Sequence, residues 1–488
     1  MISLLQRRAA ARRTRAEAAT NPAMVLAIIL GCYLMVVLDA SVVITALPDL
    51  RTDLHFSPAG LSWVQNIYAL AFGGLLLLGA RMGDLLGRRQ VFIGGIAVFT
   101  AASMLGGLAQ SETWLLAARA VQGIGAAIAA PSTLALLTVS FPEGSERTRA
   151  IALYSAVASA GASIGLVLGG MLTTWISWRW SLFINVPIGV VLVSLAPRYL
   201  PETERHTGEF DLAGAATSTL GMSALVYGLV RAAETSWGDA VALGSFAAAA
   251  VMLAAFVRVE RRARQPITPL RLFAGRERVA AYAGRLLMVG GMFGMFFYLT
   301  QFLQGAEGYS ALKAGLAFLP VTLTIFAMVK VVPRLLGRVG PRRTLIGGLV
   351  PALVGLLWLS RISTTTEYWT GVAIPMLLIG SGMGLAFTPL TQAAIAGVDH
   401  RDAGAASGLV NVFQQVGSSL GIGLLVTVFA AASDSPGGAQ ALTEGVPTTI
   451  VVSAALIAVA LVVVLAVMRP RAAASPSPIP QGAAAAGE

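Results

Sequence analysis

The amino-acid sequence predicts an all-α protein that crosses a membrane many times. Hydrophobic residues occupy 56% of the 488 positions and charged residues only 12%, about half the charged share of a typical soluble domain. Apolar runs of about 18 residues or more recur along the chain, and about 20 apolar residues span a bilayer as an α-helix. Charged breaks separate fourteen such runs. We therefore predict a polytopic protein with fourteen transmembrane helices.

The predicted spans also divide the basic residues between two sides. The spans cover residues 23–47, 61–80, 90–109, 114–138, 149–173, 178–197, 211–231, 238–257, 279–303, 312–333, 343–360, 368–391, 403–430 and 446–468. With the N-terminus inside, most of the 34 Lys and Arg residues fall in inner segments. The exceptions lie in outer loops or within spans: Arg51, Arg179, Arg231, Lys313, Arg361, Arg119, Arg285 and Lys330. The positive-inside rule then predicts that both termini are cytoplasmic.

Composition and motifs argue against several other classes of protein. Cys32 is the only cysteine, which excludes an internal disulfide and a cysteine-based metal cluster. The net charge of +11 lies mainly in inner loops, so we expect membrane lipids, and not nucleic acid, beside the basic residues. His55, His206 and His400 fall in predicted loops, and neither H-E-x-x-H nor G-x-x-x-x-G-K occurs. We therefore expect no enzymatic activity, no metal and no cofactor.

Two charged residues lie inside predicted spans of the first half. Asp39 lies deep in the first apolar run, where a carboxylate costs on the order of a few kcal/mol unless it is neutral, paired or beside water. Arg119 lies in the fourth span, and a guanidinium keeps its proton. Counting about 1.5 Å per residue places both at similar depths, which allows coupling without requiring contact. We interpret Asp39 as a protonation site tuned by Arg119; the structural alternatives are a capping carboxylate and a guanidinium bound to backbone.

An internal repeat relates the two halves of the chain. The segment GRRQVFIGG at Gly87–Gly95 lies 253 residues before GPRRTLIGG at Gly340–Gly348, with glycines in register at both ends. Each segment follows an apolar span. Together with the number of spans, the repeat predicts two related helical bundles, a plan common in secondary transporters.

Four motifs of the first half carry a family resemblance. They read LDASVVITALP at Leu38–Pro48, ARMGDLLGRR at Ala80–Arg89, LLAARAVQGIGAA at Leu115–Ala127 and GASIGLVLGG at Gly161–Gly170. With these motifs the chain resembles the major facilitator superfamily and, within it, the fourteen-span drug:proton antiporters that act as multidrug exporters. One departure is Leu166, which stands where the antiporter motif usually has Pro.

The resemblance implies a major facilitator fold with two six-helix bundles around a central cavity and two extra helices inserted between them. The expected organisation is a basic cytoplasmic N-terminus at 1–22, an N-terminal bundle at 23–200, two additional helices at 201–257, a basic cytoplasmic linker at 258–278, a C-terminal bundle at 279–468 and a disordered cytoplasmic tail at 469–488. The protein is expected in the cytoplasmic membrane and is expected to act as a monomer.

The resemblance also assigns roles to individual residues. Asp39 and Arg119 are expected to couple transport to protons. The expected cytoplasmic gate, which holds the bundle ends together, consists of Asp84, Gly87, Arg88 and Arg89. The expected helix-packing motif consists of Gly161, Gly165, Gly169 and Gly170, and glycines four apart allow close helix approach. The segment WRWSLFINVPIG at Trp178–Gly189 adds likeness without obvious chemistry.

A substrate cavity is less sharply marked than the charged sites. Aromatic rings and amides would suit amphipathic compounds through stacking and a few hydrogen bonds, although helix packing would explain the same residues. The expected lining residues are Trp63, Asn66, Tyr68, Gln122, Phe297, Gln301, Asn411 and Gln415, with Phe293 and Gln414 beside them.

These observations predict a proton-coupled antiporter that exports small amphipathic drugs or antibiotics by alternating access, with protons and a small molecule as its partners. Transport of a specific metabolite or siderophore is the alternative, and a dedicated charged residue in the second bundle, such as Arg285 or Lys330, would favour it. A membrane enzyme or a passive channel would require features that the motifs do not supply.

Overall fold

The regular structure of the chain is helical wherever it is described. A computed structural model describes residues 21–56, 58–202, 211–263, 266–399, 402–433 and 438–468. The helices are α1 Pro22–Asp53, α2 Pro58–Leu86, α3 Arg88–Gly107, α4 Glu112–Ser140, α5 Ser145–Trp175, α6 Trp180–Phe183, α7 Asn185–Tyr199, α8 Leu212–Glu234, α9 Ala240–Glu260, α10 Arg276–Gly305, α11 Ala311–Ala317, α12 Leu319–Leu359, α13 Ile374–Ile395, α14 Ala403–Ala432 and α15 Gly438–Val467. The predicted disordered tail and most of the basic N-terminus lie outside the described residues.

The described residues contain twelve helices that are long and apolar enough to cross a membrane, which makes this a multi-pass membrane protein. The sequence predicts fourteen. One difference lies in the 48-residue segment Leu312–Leu359. It is counted as a single span, although the non-helical backbone at Gly340 divides it into two helical parts. The other lies in α5, which contributes only the shorter apolar stretch Ile164–Trp175.

The internal repeat has a structural counterpart in both halves. Gly87, between α2 and α3, has a φ of 94°, and Gly340, within α12, has a φ of 79°. A side chain is strained at such angles, so glycine is favoured at both turns. Eight residues after each turn a second glycine contacts a neighbouring backbone: a Cβ on Gly95 would lie 2.9 Å from Gly125 O, and one on Gly348 would lie 2.8 Å from Gly382 O. The same local packing therefore occurs in both halves.

Two seams join the N-terminal helices to the C-terminal helices. In the first seam, α14 packs against α2 and α4; in the second, α5 packs against α12 and α13. Helix α8 contacts both α2 and α14, and α9 packs against α8. Asp239 caps α9 by accepting bonds from Val241 N and Ala242 N, and it binds Arg231 of α8. The bond from Arg231, aided by the two amides, lowers the pKa of the Asp239 carboxyl.

Glycines at a spacing of four bring α5 against α1. A Cβ on Gly161 would lie 2.7 Å from Val37 Cγ1, and one on Gly169 would lie 2.7 Å from Val42 O. Between them, a Cβ on Gly165 would lie 3.1 Å from Leu38 O. Gly170 is buried as well. The absence of side chains on this face lets the two backbones approach closely along the turn of α1 that carries Asp39.

A side chain at this contact is expected to separate the two helices. Gly165→Val should destabilise the fold by about 1–3 kcal/mol, the usual range for overpacking. The matched control is Gly94→Val in α3, because a Cβ on Gly94 would have no neighbour within 4 Å. Thermal unfolding of both purified variants in detergent tests the expectation, and equal midpoints would contradict it.

Candidate functional site

A buried ion pair lies at the centre of the N-terminal helices. Asp39 of α1 and Arg119 of α4 have no solvent-exposed surface. Arg119 Nη1 donates to Asp39 Oδ2 at 2.6 Å, so the two charges are in direct contact. The guanidinium keeps its proton, so its burial requires a partner of opposite charge, and the Asp39 carboxylate is that partner.

Neutral side chains complete the shell around the carboxylate. Asp39 Oδ1 accepts a bond from Gln122 Nε2 at 2.6 Å and one from Asn185 Nδ2 at 2.9 Å. Gln122 also donates to Ser103 Oγ at 2.7 Å, which ties α3 into the network. Arg119, Gln122 and Asn185 thus each bring a hydrogen-bond donor to the Asp39 carboxylate.

The guanidinium of Arg119 is held from several sides as well. Its Nε donates to Val64 O at 3.0 Å, and Nη1 also donates to Gln122 Oε1 at 2.7 Å. The Cζ atom lies 4.4 Å from the centre of the Tyr68 ring, a cation–π contact. Gln65 Oε1 accepts from Nη2 at 3.4 Å. Side chains of α1, α2, α3, α4 and α7 therefore converge on one pair of charges.

A second charged group lies at the end of the molecule that carries Gly87, here called the Gly87 end. Arg88 Nη2 donates to Asp84 Oδ1 at 3.0 Å, and both side chains are buried. The Asp84 carboxylate also faces the first turn of α14, because a Cβ on Gly404 would lie 2.8 Å from Asp84 Cγ. A carboxylate is stabilised at the positive N-terminal end of a helix, so Asp84 links α2 to the opposite half.

Further polar contacts gather at the same end. Arg89 Nη2 binds Glu202 Oε2 at 2.9 Å, which is a contact within the N-terminal half and not between halves. Arg271, in the segment before α10, binds Asp402 through two bonds of 2.8 Å. Gln392 Nε2 of α13 donates to Thr148 Oγ1 of α5 at 3.0 Å. The Gly87 end is thus closed by polar contacts at both seams.

The expected substrate-lining residues do not form one group. Tyr68 and Gln122 belong to the shell around Asp39 and Arg119. Trp63 packs against Tyr227 of the inserted helix α8, with ring centres 6.1 Å apart. Buried Asn411 bonds to the carbonyl of Ser407 in its own helix. The others are half-buried or exposed: Asn66, Phe297, Gln301 and Gln415.

Comparison with known proteins gives the family. The sequence pattern of the Major Facilitator Superfamily matches residues 29–422. The chain belongs to the Major Facilitator Superfamily. The superfamily's members are transporters, and its pattern spans both the Asp39 site and the Gly87 end.

Similar members of the superfamily are export and resistance proteins. The chain is 42% identical to the cephamycin export protein CmcT of Amycolatopsis lactamdurans over 82% of this chain and 84% of that protein. It is also 42% identical to the puromycin resistance protein pur8 of Streptomyces alboniger, over 83% and 81%. The multidrug resistance protein Stp of Mycobacterium tuberculosis (strain ATCC 25618 / H37Rv) is 34% identical, over 82% and 74%.

Solved structures share the fold. The human organic anion transporter MFSD10 (TETRAN) superposes with a TM-score of 0.64 over 91% of this chain and 99% of that one, at 14% identity. The transporter FucP in its outward conformation gives a TM-score of 0.57 over 90% and 97%, also at 14% identity. At this identity the likeness concerns the major facilitator fold alone.

Sequence analysis missed three polar residues of the Asp39 site. Asn185 lies in Trp178–Gly189, the segment that adds family likeness without obvious chemistry, yet it donates directly to Asp39. Gln65 and Ser103 were not singled out, although both contact the network. Each is a neutral polar residue within an apolar helix. Polar residues in membrane spans usually face the protein interior and bind other polar or charged groups, and this rule identifies Asn185 as a candidate partner of a buried charge.

The central ion pair is expected to behave as one energetic unit. Arg119→Gln or Asp39→Asn alone leaves a charge without its partner and should cost about 3–5 kcal/mol of stability. The double variant should cost clearly less than the sum, since neither charge remains. Unfolding in detergent measures the coupling. The control is the exposed pair Arg179–Asp53, whose coupling should stay below about 1 kcal/mol; additivity at the buried pair would contradict the expectation.

Proposed function

We propose that this protein exports small amphipathic drugs or antibiotics across the cytoplasmic membrane in exchange for protons. The observation that carries the proposal is the contact between Asp39 and Arg119, an acid and a permanent cation sealed inside the first half at 2.6 Å. Support for drug export comes from the relatives, whose names record cephamycin export and puromycin resistance. Protons and the exported compound are thus the proposed partners.

In the proposed cycle, Asp39 binds a proton on one side of the membrane and releases it on the other. The donors from Arg119, Gln122 and Asn185 compete with that proton. Loading therefore requires the shell to open to water, and closure of the shell expels the proton. One proton that moves through about 150 mV supplies roughly 3.5 kcal/mol, which sustains a gradient of a few hundredfold at a one-to-one ratio.

The proposed movement is alternating access between an N-terminal bundle at 23–200 and a C-terminal bundle at 279–468. The two additional helices lie at 201–257, and residues 258–278 form the linker. We place the Gly87 end and both termini in the cytoplasm, because most Lys and Arg residues lie in the corresponding loops. The proposed number of spans is fourteen. The twelve apolar helices increase by one when α5 is counted as a span, and by another when α12 is divided at Gly340. The monomer contains both halves and is the proposed unit.

In this cycle the polar contacts at the Gly87 end form the cytoplasmic gate of the outward-facing state. Asp84 joins α2 to the start of α14, and Gln392 joins α13 to α5. Gly87 supplies the turn, Arg88 orients Asp84, and Arg89 binds the end of α7. These few polar contacts can be exchanged for water when the gate opens, whereas each bundle is held by continuous apolar packing.

Loss of the acid is expected to abolish coupling. Asp39→Asn should reduce puromycin-induced proton movement in proteoliposomes by about 100-fold or more, because the amide cannot take up the transported proton. Puromycin is the probe because of the relative that confers resistance to it. The control is Asp49→Asn, which removes an exposed acid from the same helix. Undiminished proton movement in the Asp39 variant would refute proton coupling through this acid.

Locking the Gly87 end is expected to stop transport. A Cβ on Gly408 would lie 2.9 Å from Ala80 Cβ, so a small outward shift brings cysteines at both positions to the roughly 3.5–4.5 Å of a disulfide. In a Cys32→Ser background, oxidation of the Ala80→Cys/Gly408→Cys variant should block transport, and dithiothreitol should restore it. Each single cysteine variant serves as control. Full transport by the cross-linked protein would contradict gating at this end.

A further inference from the structure

A second buried arginine lies in the C-terminal half, outside the Asp39 site. Arg285 of α10 is 1% exposed. Its Nη1 donates to Thr391 Oγ1 at 2.9 Å, and its Nη2 donates to Gln414 Oε1 at 2.6 Å. Its Cζ atom lies 5.1 Å from the centre of the Phe387 ring. The guanidinium is therefore held by a hydroxyl, an amide and an aromatic face.

Arg285 differs from Arg119 in the charge of its partners. Within the described parts of the chain, Arg285 forms no salt bridge, and its buried Nε has no hydrogen-bond acceptor. A permanent cation that is buried among neutral groups is energetically unfavourable. Unlike the charge of Arg119, the charge of Arg285 is thus not compensated by a carboxylate in the described structure.

Two side chains that contact Arg285 also line a small, largely apolar cavity between the halves. Its walls include Phe387 and Gln414, two of the groups that contact Arg285, and the side chains of Met292, Phe293 and Phe296. The cavity measures about 10 Å³ in this conformation, which is room for about one water molecule. Unbranched methionines adapt to ligands of different shape, and Ala158 of α5 forms the wall on the side of the N-terminal half.

Gln414 links this cavity to the opposite half. Its Oε1 atom accepts a bond from Tyr33 OH of α1 at 3.3 Å in addition to the bond from Arg285. The Tyr33 ring is stacked on that of Tyr154, with centres 4.1 Å apart. A ligand anion that replaces Gln414 at Arg285 would therefore change a contact between α1 and α14.

We propose that Arg285 binds the carboxylate of an amphipathic organic acid, and that separation of the halves enlarges the cavity beside Met292, Phe293 and Phe296 until it holds the apolar body. The proposal rests on the export function above and names one class of its substrates. The planar guanidinium binds a carboxylate through paired hydrogen bonds, and the vacant Nε supplies a donor. Aromatic and thioether walls accept an apolar ring system. The ligand supplies the negative charge that the site lacks.

The test compares 1-naphthylacetate with its methyl ester, which has a similar apolar body without the charge. Binding to the purified full-length chain in detergent, corrected for partitioning into micelles, should favour the carboxylate by about tenfold or more. Arg285→Gln should reduce the affinity for the carboxylate by about tenfold and leave that for the ester within about twofold. The matched control Arg361→Gln removes an exposed arginine that follows α12 and should leave both affinities unchanged.

A second variant protects the test against misfolding. Gln414→Glu places a carboxylate of the chain itself against Arg285, so it should raise the unfolding temperature and abolish the preference for the carboxylate. No preference in the wild type, no binding of either probe, or a preference that survives both Arg285→Gln and Gln414→Glu would overturn the proposal.

The binding test is independent of proton coupling because no proton gradient is imposed. Proton-coupled puromycin transport without a preference for the carboxylate would retain the export function and refute the role of Arg285. A preference for the carboxylate together with undiminished proton movement in Asp39→Asn would support the role of Arg285 and refute proton coupling through Asp39.

Discussion

A charge inside a membrane protein is stabilised only by partners that the protein supplies. At the centre of the N-terminal half, Asp39 and Arg119 are such partners for each other. The 2.6 Å bond cannot form unless α1 and α4 cross at one depth. Further donors and acceptors come from Gln122 of α4 and from α2, α3 and α7. Because a missing partner would leave a buried charge or polar group, the arrangement of these five helices is fixed more sharply than apolar packing alone would fix it.

Glycines make this convergence sterically possible. Gly165 and Gly169 lie against backbone atoms of Leu38 and Val42, on either side of Asp39. Since lipid tails are as apolar as the helix surfaces, close backbone contact replaces the hydrophobic effect as the source of helix association. The N-terminal and C-terminal halves meet differently, because polar groups such as Asp84 and Gln392 contribute to their contacts at the Gly87 end.

The sequence predicted the charged parts of the site better than its neutral parts. Asp39 and Arg119 were identifiable because ions are rare in apolar runs, and the depth count allowed their contact. Asn185 was overlooked and Trp63 was assigned to the cavity, although it packs against α8. In a helix that is apolar all round, hydrophobic periodicity does not fix which face points inward. The sequence also predicts the break at Gly340, because Arg334, Arg338 and Arg342 flank this glycine and the backbone turns there.

The position of α8 and α9 makes the two sides of the transporter unequal towards lipid. A hairpin lies over the seam between α2 and α14, since α8 contacts both of these helices and α9 packs outside it. At the other seam, α5 meets α12 and α13 directly. A lipophilic molecule that diffuses sideways out of the bilayer must therefore pass around this hairpin to reach the first seam. The second seam offers a shorter route from the hydrocarbon to the interior.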